Sequence, residues 1–267
     1  MKNASELAKD VKLTPAEKGD PVAAQSDEQR RISEYWSRWA GEYEAYQAQR
    51  REAEGESSVW EGIWSAGLPQ PPSQVLDLGT GSGAVAFLLA GMGHRVTGID
   101  LAEGMLAEAR RRSGYSANPM FGFGDAAGPQ FDDAAFDALT ARYVLWTLRT
   151  PDQALAEWLR ILKPGGVLVA VDSLWFPEGL IAHEHEEDHS GARGQDFRRA
   201  YQGQEQDLPL AEAGSIGAFA DRIRAAGFAE VTAEELPELK EADQEYGVAP
   251  GHRVQMQYRI RAVKPIS

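Results

Sequence analysis

Apolar residues along this chain follow two rhythms. From Ile32 onward, Ile32, Trp36, Trp39, Tyr43 and Tyr46 recur at steps of three and four, which predicts one helical face. Residues 1 to about 28 lack that period and are polar, so a mobile or loosely docked N-terminus is expected. Pro69, Pro71 and Pro72 then close the helical prelude. Beyond them short apolar runs alternate with helical patterns. Val75 to Gly79 reads as a strand, and Val85, Leu88, Leu89 and Met92 share a helical face stopped by Gly91 and Gly93. RVTGID at 95–100 is a second strand, followed by a helix carrying Met105, Leu106 and Ala109 and closed by Gly114. Further strands are predicted near 120–124 and at 136–141.

Thr150-Pro151-Asp152-Gln153 predicts a helix start, with Thr150 as cap, Pro151 in the first turn and Gln153 completing a capping box. Leu155, Trp158, Leu159 and Leu162 continue that helix until Lys163-Pro164-Gly165-Gly166 breaks it. GVLVAVD at 166–172 is uninterrupted in the way of a strand buried between two helical layers. Ile216, Phe219, Ala220 and Ile223 give another helix, ended by Gly227. VQMQYRIRAV at 254–263 alternates apolar with polar and predicts a half-exposed antiparallel strand near one edge. Residues 174–213 keep neither period. With the charged stretch HEHEEDH and few hydrophobics, they are expected to form a lid or binding loop rather than a core element. Strands alternating with helices imply βαβ units and a mainly parallel sheet. Three regions follow: a polar terminus at 1–28, a helical cap at 29–72, and one α/β domain at 73–267 carrying the 174–213 insertion.

Composition narrows the function. Of 267 residues, 43% are hydrophobic, enough for a sizeable core, while the formal net charge is -14. So acidic a chain, without a segregated basic face, disfavours nucleic acid and anionic membranes as partners. No cysteine is present, which removes disulfides, thiolate metal sites and thiol nucleophiles. No run has the roughly 18 apolar residues of a membrane span, and the N-terminus lacks the apolar core of a signal peptide, so a cytoplasmic protein is expected. The expected partner is a small molecule, and the chain is expected to be a monomer or homodimer.

The chemistry concentrates in VLDLGTGSG at 75–83. A strand, a glycine-rich turn and a helix make a nucleotide site, and the dinucleotide form spaces its glycines G-x-G-x-x-G. Here Gly79, Gly81 and Gly83 are spaced G-x-G-x-G, and Asp77 stands directly before them. A carboxylate beside a phosphate cradle is electrostatically unfavourable, whereas beside an ammonium or sulfonium it is favourable. Asp100 ends the next strand, where it can accept both hydroxyls of a ribose, with capping of the following helix as the alternative role. Asp125 follows the third strand and can accept from an adenine amine.

VLDLGTGSG, VTGIDLAEGMLAEAR, GDA and ALAEWLRILKPGGVLVAVD, in that order, resemble the successive motifs of class I S-adenosylmethionine-dependent methyltransferases. The resemblance covers about Val75 to Asp172. It implies a Rossmann-like α/β fold, a seven-stranded mixed sheet with helices on both faces, here with an N-terminal helical cap and a lid insertion. It implies S-adenosyl-L-methionine as cofactor and S-adenosyl-L-homocysteine as product. Gly79, Thr80 and Gly81 would line the methionine moiety, Asp100 would hold the ribose, and Leu101 and Met105 would pack on the adenine. Asp125 and Ala126 would bind the adenine edge, and Arg142 would meet the methionine carboxylate or the substrate. ARYVLWTL at 141–148 is similar to the small-molecule branch that makes secondary metabolites, including N-methyltransferases of nitrogen heterocycles. The Asn/Asp-Pro-Pro-aromatic motif of enzymes acting on DNA bases or protein amides is missing at that position.

Other residues are assigned by their chemistry. The aromatic face of the prelude is either core packing or a cover over the cofactor, with Tyr35, Trp36 and Tyr43 near the sulfonium. Trp146 and Trp175 are candidate walls of a substrate pocket. His183 and His185 are candidate substrate bases. Together with His189 their spacing matches no helical metal pair, and no metal is expected. His94 and His252 read as surface residues. Two rival functions stand beside methyl transfer: a protein of this fold that binds the cofactor but catalyses a non-methylating reaction, and a nicotinamide-dependent oxidoreductase, which the glycine spacing and Asp77 disfavour.

Overall fold

The apolar runs lie side by side in one sheet. A computed structural model describes residues 25–53, 55–180, 191–203, 208–249 and 252–266. Its strands are β1 (Gln74–Leu78), β2 (Arg95–Asp100), β3 (Met120–Phe123), β4 (Phe136–Arg142), β5 (Leu162–Ser173), β6 (Ala229–Glu235) and β7 (Gln257–Val263). They are ordered β3-β2-β1-β4-β5-β7-β6, and β1 to β5 pair in parallel while β7 runs antiparallel to both β5 and β6. The chain therefore leaves β1 toward β2 on one side and reaches β4 on the other. That reversal is the switch point where open α/β sheets place ligands, beyond the carboxyl ends of the strands.

The helices are α1 (Asp27–Arg38), α2 (Ala40–Glu52), α3 (Glu56–Gly67), α4 (Ala84–Gly91), α5 (Glu103–Ser113), α6 (Pro151–Ile161), α7 (Ala192–Tyr201), α8 (Ile216–Ala225) and α9 (Pro237–Tyr246). Strand side chains alternate between two layers. Leu76, Leu78, Leu168 and Ala170 pack with Leu155 and Trp158 of α6 and Phe219 of α8. Val75, Val167, Val169 and Val171 pack instead with Trp64 of α3, Leu89 of α4 and Leu239 of α9. Each layer buries one face of the sheet, which is why the β5 sequence is apolar without interruption.

Several sequence expectations need correction. The prelude is not one helix: α1 stops at Arg38, Trp39 leaves helical geometry at ψ 8°, and α2 restarts at once, so the three-and-four spacing survives a break. The buried residues of α2 include Glu44, Gln47 and Arg50 rather than its aromatics. Arg50 donates to Glu56 at 2.8 Å and to Asp243 of α9 at 2.8 Å, which pairs the charges of this polar interior. The capping box before α6 does not form, since Thr150 makes no side-chain cap bond, although Pro151 does occupy the first turn. The 254–263 segment does supply an antiparallel strand near one edge, β7, with β6 alone lying outside it. β6 was illegible because its sequence, AEVTAEE, is mostly exposed and charged, as edge strands are.

The 174–213 insertion does contribute to the core. Leu180, Tyr201, Leu208 and Leu210 are buried in the α6-side layer, and α7 packs along α1. A few large residues spaced far apart suffice there because α1 already supplies the facing surface. His94 is also buried, at 2% exposure, and burial pushes its imidazole pKa down. Residues 1–24, where most of the polar terminus falls, and His183, His185 and His189 lie outside the described residues. Among the described residues no helix is long and apolar enough to cross a membrane.

Candidate functional site

The carboxyl ends of β1, β2, β3 and β4 open into a single cavity of about 2090 Å³, roofed by α1, α2 and α7. Ligand pockets typically span roughly 300–1,000 Å³, so this one has room for two reactants together. Tyr35, Trp36, Tyr43, Asp77, Gly79, Thr80, Gly81, Asp100, Leu101 and Met105 line it, as do Asp125, Ala126, Arg142, Trp146 and Trp175. Residues far apart in the chain, from Gln25 to Gln255, thus share one space, an outcome of the parallel topology that brings strand tips together.

Asp77 is 1% exposed, and its two oxygens accept from Thr80 Oγ1 at 2.6 Å and from Thr140 Oγ1 at 2.8 Å. Burial pushes its pKa up to about 6, against the two hydroxyls and the nearby Arg142, which act to lower it. The glycine turn above it needs its glycines. Gly79 sits at φ +60°, and a Cβ there would lie 2.6 Å from Val144 Cγ2. Gly81, at φ +56°, has nothing within 4 Å of a Cβ position, so the turn leaves open space on that side.

Asp100 fastens this turn. Its Oδ2 accepts from Gly81 N at 2.8 Å and its Oδ1 from Ala102 N at 2.8 Å. Each oxygen has a second acceptor site left, so the carboxylate can hold the turn and still receive two hydroxyls. Asp125 spends one oxygen on Ala127 N at 2.8 Å and is otherwise exposed at the cavity mouth.

Arg142 completes the polar half. Its guanidinium lies 5.1 Å from the Trp60 ring centroid and 5.3 Å from that of Tyr143, and no carboxylate forms a salt bridge with it among the described residues. Tyr143 is held at φ +61° by its N–H donating to Val171 O at 2.8 Å, and its hydroxyl donates to Gln257 Oε1. An unpaired guanidinium, a buried carboxylate, an acid with two spare acceptor sites and an open glycine turn match a nucleoside bearing both a cation and a carboxylate. They do not match a pyrophosphate.

Two residues escaped the sequence reading, one behind the cavity wall and one in it. Asp172, at the tip of β5, is fully buried, and burial pushes its pKa up to about 7. It accepts from Trp175 Nε1 at 2.7 Å and Trp146 N at 3.4 Å, and so positions both candidate substrate walls. Its signature, a carboxylate ending an apolar run, is that of Asp77 and could have been read. His252 is not a surface residue: it lines the cavity, with its ring 4.9 Å from Trp175. Only the fold of the chain before β7 puts it there, and nothing in its sequence neighbourhood signals it.

Residues 76–170 match the family model of a methyltransferase domain. That stretch is similar to a methyltransferase domain, and the fold around it is that of the Rossmann-like class I methyltransferases. Over 128 residues it is 35% identical to a demethylmenaquinone methyltransferase of Clavibacter sepedonicus, covering 48% of this chain and 52% of that one. It is 36% identical over 139 residues to a malonyl-[acyl-carrier protein] O-methyltransferase of Serratia marcescens, covering 52% and 51%. The chain thus spans about half the length of the curated relatives it matches. A solved S-adenosylmethionine-dependent methyltransferase of Thermotoga maritima superposes with a TM-score of 0.57 at 22% identity, over 87% of this chain and 99% of that one. The chain's sheet order and flanking helices match that solved fold.

Proposed function

We propose that this chain transfers a methyl group from S-adenosylmethionine to a nitrogen, oxygen or carbon of a small molecule, with N-methylation of a nitrogen heterocycle in secondary metabolism as the specific reading. The observation that carries it is the joining, in one cavity, of a complete set of cofactor-type groups and an aromatic chamber large enough for an acceptor. Asp100 would hold the ribose, Asp125 and Ala126 the adenine edge, and Leu101 and Met105 its faces. Asp77 would attract the amino group and Arg142 the carboxylate of the methionine part. Tyr35, Trp36 and Tyr43 would cover the sulfonium from the cap.

The cofactor supplies an electrophilic methyl carbon already attached to a good leaving group. The protein's part is to align the acceptor behind that carbon and exclude water. The two relatives act, by their names, on unrelated acceptors. Beyond Tyr143 and Trp146, acceptor choice then draws on residues outside the matched stretch 76–170: the cap, Trp175, Phe176, Tyr201 and His252.

Titration calorimetry with S-adenosylmethionine and with NAD tests the cofactor: binding of the first and not the second is expected, and the reverse overturns the reading. Incubation with labelled methyl donor across heterocycle and phenol panels tests the chemistry. Label in an acceptor is expected, and product without label would make the chain a non-methylating relative.

A further inference from the structure

The cavity has a second half that the cofactor groups do not use. Trp146 contacts Trp175 at 6.1 Å, Phe176 at 5.4 Å and Tyr201 at 5.6 Å between ring centroids. Into this aromatic chamber comes His252. Its ring stands edge-on to Trp175 at 4.9 Å and to Tyr143 at 6.4 Å, and its backbone N–H is tied to Ala249 O at 2.9 Å. Among the described residues, none hydrogen-bonds the imidazole. Burial first, then the charges of Arg193 and Arg142, push its pKa down to about 4, so the ring is neutral at neutral pH.

A neutral imidazole carries one N–H and one bare nitrogen. In a cavity otherwise walled by indole and phenol rings, that bare nitrogen is an acceptor which a ligand's donor can fill. We propose that His252 receives the proton-bearing oxygen or nitrogen of a planar aromatic acceptor that sits among Tyr143, Trp146, Trp175 and Phe176, and takes its proton as the methyl group arrives. This rests on the cofactor reading given above, since only that reading puts a methyl donor in the other half.

The step balances. The acceptor's lone pair forms the bond to the methyl carbon, and the carbon–sulfur bond breaks with its electrons going to sulfur, which becomes a neutral thioether. The acceptor's proton passes to the bare nitrogen of His252. A weak base suffices, because the proton on the attacking atom becomes strongly acidic as the new bond forms. The imidazolium then stands near Arg142 and Arg193, whose repulsion drives the proton out to water and restores the neutral ring.

The test uses the full chain loaded with S-adenosylhomocysteine and two probes, 2-naphthol and 2-methoxynaphthalene, which differ in one donor. Calorimetry should show naphthol binding about tenfold more tightly. His252→Phe should erase that difference while leaving S-adenosylhomocysteine affinity unchanged. His252→Asn, whose side-chain oxygen still accepts, should keep part of it. Equal affinities in the wild type, no naphthol binding to the loaded chain, or a preference that survives His252→Phe would each overturn the role of His252. Failure of S-adenosylhomocysteine to bind would overturn the cofactor reading, and the proposal with it.

Discussion

The N–H of Gly81 donates to Asp100 Oδ2 at 2.8 Å. One bond joins the glycine turn after β1 to the acid at the tip of β2, so the shape of the turn and the charge of the acid are a single device. Asp100→Asn is therefore not conservative here. Its amide NH2 would oppose either Gly81 N or Ala102 N, leaving a donor facing a donor. Calorimetry should show S-adenosylhomocysteine affinity lowered about 10- to 100-fold, the cost of a lost charge-assisted pair. Unchanged affinity would remove Asp100 from the site.

Asp77 makes cofactor binding depend on pH. Its pKa is pushed up to about 6 by burial, so the anion that attracts a cation exists above that value and disappears below it. Affinity for S-adenosylmethionine should therefore fall as pH drops below 6, by up to about tenfold per unit. Titrations at a series of pH values would show it, and Asp77→Asn should flatten the profile.

Asp172 bears on stability instead. Its folded pKa of about 7 lies above that of an exposed carboxyl, so between roughly pH 4 and 7 the folded chain holds a proton that the unfolded chain has released. Stability should decrease as pH rises through that window. Denaturant midpoints taken from pH 5 to 8 would show the fall, and Asp172→Asn should make it shallower.

Gly79 cannot accept a side chain. Gly79→Ala would put a Cβ 2.6 Å from Val144 and hold an L-residue at φ +60°, at a backbone cost of about 1–2 kcal/mol before the clash is counted. A drop in the thermal midpoint is expected, together with weaker S-adenosylhomocysteine binding because Val144 is displaced into the cavity.

Arg50 should be the most sensitive position of the cap. Arg50→Met would leave Glu56 and Asp243 buried without their cation, a loss of about 3–5 kcal/mol. Chemical denaturation would measure it, and a loss under 1 kcal/mol would show that the network is replaceable.

By itself the sequence determined the frame. The strand-and-helix rhythm from Val75 to Asp172, the glycine spacing and the acids at successive strand tips follow from local periodicity and turn geometry. They fixed the α/β class and the polar half of the cavity, since backbone topology alone carries those residues to one edge of the sheet. Tertiary structure decided the rest. The cap residues Trp36 and Tyr43 both line the cavity and pack on the core, a double role that the break at Trp39 and the polar interior around Arg50 permit. Asp172, Tyr201 and His252 meet around Trp146 and Trp175 although they are spread over the chain from position 172 to position 252. Periodicity reports what a segment does along its own axis. Where two distant segments face each other is settled only by packing, and the acceptor half of the cavity is built entirely from such meetings.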